Sequence, residues 1–140
     1  MIASLCRPAA WALVAALAAA PISAQVTPGP DGQALYGRFC ASCHGADLEG
    51  QPDWQSPKSD GTYPAPPHSA EGHTWHHDDA MLLDYVKRGG AATLADMGVE
   101  FASAMPAFGD VLSDAEIGAV LGFIASTWPE EIRQAHEARQ

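Results

Sequence analysis

Cysteine is scarce in this chain, three among 140 residues, and so is positive charge, with 7 lysines and arginines against 17 aspartates and glutamates. A formal net charge of −10 makes nucleic acid and anionic membrane surfaces poor partners, since both repel an acidic protein. Long apolar runs are missing as well. The one apolar stretch, residues 11–20, falls short of the about 20 residues that a membrane-spanning helix needs, although an uncleaved anchor is kept as a lesser reading. No internal repeat and no every-second-residue alternation of a β-strand is visible, so the expected fold class is all-α. The length suffices for one domain and is short for two.

The amino terminus carries a compartment signal. Arg7 precedes the apolar run, and Ser23 and Ala24 are small residues ahead of a cut before Gln25, so residues 1–24 read as a secretory signal peptide. Cys6 lies before the apolar run and is discarded with it. The expected organisation is then a flexible lead-in at 25–31, one domain over 32–128, and a polar C-terminal extension at 129–140, in a periplasmic or secreted protein. Two cysteines remain.

Those two stand in Cys40-Ala41-Ser42-Cys43-His44, the C-x-x-C-H order required for covalent attachment of a c-type haem. On a helix, positions three apart share a face, so both thiols can form thioethers with one porphyrin while His44 reaches the iron from the same side. A thioredoxin-like pair would come with a strand and helix pattern that residues 30–60 lack. A plain disulfide has no use for His44. A zinc site would need further ligands, and His73, His76 and His77 lie about thirty positions on in a loop-like stretch. Haem attachment is the favoured reading, with zinc and a disulfide behind it.

Helical character is expected over residues 33–42, with Leu35, Tyr36 and Phe39 on the apolar face. From Gly45 to Thr74 the composition turns to Gly, Pro, Ser, Asp and His, which predicts a long loop. Asp78 or Asp79 can cap a helix over residues 80–86 with Leu82, Leu83 and Val86 inward, stopped after Lys87-Arg88 by Gly89-Gly90. Ser113-Asp114-Ala115-Glu116 is a capping box, followed at helical spacing by Ile117, Val120, Leu121, Ile124 and Trp128 until Pro129. Residues 129–139 form a short extra helix or fray.

A second axial ligand is sought among the methionines, because a thioether is a soft ligand that needs no deprotonation. Met81 falls on the capped helix, where core packing is its expected job. Met97 stands in a loop-like stretch and is the competitor. Met105 is preferred: Pro106 keeps its backbone extended, and Met105-Pro106-Ala107-Phe108-Gly109 runs as a short strap into the Ser113 cap.

The pentapeptide, the following helix, the methionine loop and the capped terminal helix together resemble a class I, single-haem, c-type cytochrome. Gly32 and Tyr36, eight and four residues before Cys40, match that family's first helix, and Val120 and Phe123 match its last. Gly32 and Gly122 would let the two helices approach closely. The resemblance implies three to five short helices around one covalent haem c, with Cys40 and Cys43 as thioethers and His44 and Met105 as axial ligands. It also implies that a proline carbonyl, of Pro64, Pro66 or Pro67, accepts the second N–H of His44.

The segment His68-Ser69-Ala70-Glu71-Gly72-His73-Thr74-Trp75-His76-His77 departs from the compact family pattern. Trp75 and one or more of its histidines are expected to donate to the haem propionates; a sharper reading makes His73, His76 and His77 a copper or zinc site. The expected function is electron transfer between a redox protein donor and acceptor, docking through basic patches on those partners, with no enzymatic activity and no small-molecule substrate. The alternatives are an open-site haem enzyme or sensor of peroxide or a small gas, and a metal-binding module built on the histidine segment.

Overall fold

The computed structural model describes residues 29–140, which form six short helices, more than the three to five expected, and one turn of 3₁₀ helix; no strand occurs among the described residues. The expected signal peptide, Cys6 and most of the expected lead-in lie outside the described residues. α1 (Gly32–Phe39) begins where the Asp31 side chain accepts from the Ala34 N–H at 3.1 Å. α2 (Ala41–His44) is a single turn that follows directly and ends at Gly45. A long irregular stretch leads to the 3₁₀ turn Thr74–His76. α3 (Asp79–Arg88) is capped by Asp78, which accepts from the Met81 N–H at 2.7 Å. Its end is set by Gly89, whose φ of 83° suits glycine and brings its backbone close to Met105 and Pro106.

α4 (Gly90–Asp96) was not anticipated, because the glycine pair reads as a stop and the residues beyond it as loop. The run Ala91-Ala92-Thr93-Leu94-Ala95 has ample helix propensity, and Thr93 fastens it to α3 by donating to the Asp84 carboxylate at 3.0 Å. Met97 is thereby the C-cap of a helix rather than a loop residue. α5 (Asp114–Ser126) opens on the full Ser113–Glu116 capping box and buries Ile117, Val120 and Ile124. Trp128 is buried just past its end, and Pro129 starts α6 (Glu130–Glu137).

α1 crosses α5 as the resemblance implies. A Cβ on Gly32 would lie 2.0 Å from the Ala119 carbonyl oxygen, so only glycine permits this approach. Tyr36 packs on Phe123 with ring centroids 5.5 Å apart, and Tyr36, Leu48, Val120, Ile124 and Trp128 form the buried core. Gly122 is the correction. Nothing stands within 4 Å of where its Cβ would be, so it takes no part in the crossing and instead borders an open groove between α3, α5 and α6. α3 buries no residue fully: Leu82 and Val86 face a cavity as expected, but Leu83, expected to face inward with them, borders the groove beside Gly122 instead.

Candidate functional site

The cavity holds about 900 Å³, toward the upper end of the roughly 300–1,000 Å³ seen for ligand pockets. Cys40, Cys43 and His44 border it from the α1–α2 junction, and Met105 from the loop before α5. Cys40 and Cys43 are free thiols, the first half-buried and the second exposed. Burial, with the neighbouring Cys43 second, pushes the Cys40 thiol up to about 11.

His44 is buried, and its Nδ1 stands 2.9 Å from the Pro66 carbonyl oxygen. Of the three prolines the resemblance left open, the structure selects Pro66. Its neighbours explain how: the Gln51 N–H donates to Ala65 O at 2.9 Å, the Gln51 side chain accepts from the Ala65 N–H at 3.0 Å, and the His68 N–H donates to Leu48 O at 2.9 Å. Residues on both sides of Pro66 are thus tied to the turn just after His44. With Nδ1–H donating to Pro66, Nε2 is left as the basic nitrogen, the one that a metal could bind. Burial, which favours the neutral imidazole, lowers the His44 pKa, opposed by the Pro66 bond.

The Met105 loop is laced to the end of α3 and the first residue of α4. The Gly90 N–H donates to Met105 O at 3.1 Å, Phe108 N–H to Val86 O at 3.0 Å, and Gly109 N–H to Lys87 O at 2.9 Å. Ser103 adds a further tie by accepting from the Met105 N–H at 3.3 Å while bonded to the Tyr85 hydroxyl at 2.9 Å. Met81 and Met97 border the same cavity, so all three described methionines share it. Met97 is 55% exposed at its helix end, whereas Met105 is half-buried.

The histidine segment divides. His68, His73 and His77 border the cavity; Trp75 and His76 do not. His68 stacks on His44 at 4.0 Å and receives Tyr36 edge-on at 6.3 Å; burial above all, then His44 and His73, pushes its pKa down to about 3. His73 and His77 are also lowered, first by burial and then by neighbouring histidines. The expectation that Trp75 serves the propionates is corrected. Its indole N–H is shared between Ala70 O at 3.2 Å and Gly72 O at 3.1 Å, carbonyls of its own turn. Among the described residues no three His, Cys, Asp or Glu side chains come together to hold a metal ion, so the copper or zinc reading of His73, His76 and His77 has no geometric support. Trp54 is the residue that sequence reasoning missed: it stacks on His73 at 5.7 Å and borders the cavity, and no local pattern marks it.

The residues fit a haem. The lining is mostly apolar, as a porphyrin face requires, with Leu82, Val86, Ile117, Val120 and Leu121 bordering it. Among the described residues no carboxylate borders the cavity, while Lys58, His73, His77 and the Trp54 indole do, which suits the two carboxylates of a haem. Cys40, Cys43 and His44 would hold the group.

Residues 27–124 match the family model described as cytochrome C oxidase, cbb3-type, subunit III, a c-type cytochrome domain whose cofactor is covalently bound haem c. No curated protein and no solved structure matches. No described helix is long and apolar enough to cross a membrane.

Proposed function

The chain belongs to this family of c-type cytochrome domains, and from that premise we propose that it is an electron carrier in which Cys40 and Cys43 anchor haem c and His44 and Met105 are the axial ligands. When bound, haem c supplies a one-electron couple between ferrous and ferric iron. The observation that carries the reading is the His44 Nδ1–Pro66 O bond of 2.9 Å, which orients the ring's other nitrogen in the cavity that Met105 shares.

The chain's residues do the rest. Pro66 fixes the tautomer and basicity of His44. The ties from Gly90, Phe108 and Gly109 to α3 and Met105 keep the methionine from swinging away, which favours a closed iron over an open catalytic site. The apolar lining excludes water and, with a thioether ligand, favours the ferrous state, so a relatively high potential is expected. Residues 1–24 direct export to a periplasmic or secreted location, and the acidic surface suits donor and acceptor proteins with basic docking patches.

Exogenous ligand binding tests this reading. Holoprotein made with haem-attachment machinery is expected to titrate with one electron and to bind neither carbon monoxide nor cyanide readily, whereas Met105→Ala should bind both. Ready binding by the wild type would overturn the carrier reading in favour of an open-site enzyme or sensor.

A further inference from the structure

Residues 129–140 lie beyond the stretch that matches the family model, yet they are bound into the cavity wall. Between His68 and Asp79 the chain has only a single 3₁₀ turn, so many of its backbone groups need partners from elsewhere. The C-terminal end supplies them. Trp128 Nε1 donates to His68 O at 2.7 Å, Arg139 Nε donates to His76 O at 3.1 Å, and Gln140 Oε1 accepts from the Asp79 N–H at 3.0 Å. His136 is buried edge-on against Trp128, with Nε2 at 2.9 Å from Asp79 Oδ1 and Nδ1 at 3.4 Å from Trp75 O.

The segment has two faces. Trp75 and His76 stack on each other at 3.7 Å and lie under α6, with the Arg139 guanidinium over the Trp75 ring at 6.0 Å. His73, Thr74 and His77 face the cavity. His73 meets His77 edge-on at 5.6 Å and carries Trp54 stacked upon it, so these three rings depend on where the turn between them stands.

We infer that α6 and the residues just after it are a positioning strap: His136 and Arg139 hold residues 75–76 from outside and thereby set His73 and His77 against the haem. The inference rests on the haem reading above. Residues that touch neither iron nor porphyrin then tune the reduction potential, since polar groups around a haem help set it. Arg139 and His136 are positioning residues.

The test uses holoprotein of the wild type, Arg139→Ala, His136→Ala and His136→Gln, with haem content, midpoint potential and amide exchange measured on each. At a fixed ambient potential, the ferrous-to-ferric ratio of Arg139→Ala and His136→Ala should differ several-fold from that of the wild type. Haem content should be unchanged and the His76 and His77 amides should exchange faster. His136→Gln, which keeps a side-chain N–H for Asp79, should recover part of the shift. Faster exchange with an unmoved potential would reduce α6 to packing and overturn the strap, as would no change in either. Should His136→Ala fail to fold, Arg139→Ala decides, because that side chain is exposed. Wild-type protein without covalent haem would sink the carrier reading, and haem content separates that failure from failure of the strap alone.

Discussion

At the crossing of α1 and α5, Gly32, Tyr36, Val120 and Phe123 interlock side chain against backbone, whereas the segment 68–79 is held by hydrogen bonds from side chains sixty or more positions away. The first region is regular, buried and built from residues at helical spacing. The second has little regular structure, and what fixes it is the capture of individual carbonyls by Trp128 and Arg139. A repeated apolar pattern makes one region stiff by itself, while the other is only as ordered as its distant partners.

The largest effect should come from breaking the first region. Gly32→Val forces a branched side chain onto Ala119 O and should cost about 3 kcal/mol in chemical denaturation of the holoprotein. Equal stability of this variant and the wild type would mean that the crossing is not tight.

The second region should respond separately. Trp128→Phe keeps most of the buried ring but strips the N–H that reaches His68 O, leaving that carbonyl short of a partner, and should cost about 1–2 kcal/mol. Amide exchange should rise across residues 68–79 before it rises in α1. A uniform rise through both would erase the distinction between the regions.

The smallest effect sharpens the comparison. Ser113→Ala removes the cap of α5, about 1 kcal/mol, without touching the segment 68–79. Its pH dependence follows from Glu116, whose carboxylate is held below its ordinary value of 4.5 first by the Ser113 N–H and then by the Ser113 hydroxyl. A carboxylate lowered on folding stabilises the fold above its unfolded value and loses that contribution as pH falls through the lower folded value. The wild type should therefore lose ground to Ser113→Ala only in acid below pH 4.5, seen as converging melting temperatures.

What the sequence made legible follows the same division. Cys40, Cys43 and His44 declare themselves by spacing, and the Ser113 box and the Ile117, Val120, Ile124 ladder declare α5, because each signal is local. α4 was hidden by the Gly89-Gly90 pair, which ends one helix and starts the next at a corner. The choice of Pro66 over Pro64 and Pro67 depends on Gln51 clamping Ala65, a pairing across fourteen positions that no periodicity reveals. Trp75 looked like a propionate donor by its neighbours in sequence, yet its indole N–H turns to the carbonyls of Ala70 and Gly72. The buried role of His136 was equally invisible, since Glu130, Glu131, Arg133 and Gln134 around it read as a solvated tail.

The measurement that bears most directly on the central claim is the absorption spectrum of the ferric holoprotein in the region of the methionine-sulfur to iron charge-transfer band, for the wild type, Met105→Ala and Met97→Ala. His44 and Met105 as axial ligands predict a low-spin spectrum with that band in the wild type and in Met97→Ala, and its loss in Met105→Ala. A high-spin wild type, or a band that vanishes in Met97→Ala and survives in Met105→Ala, would contradict the account.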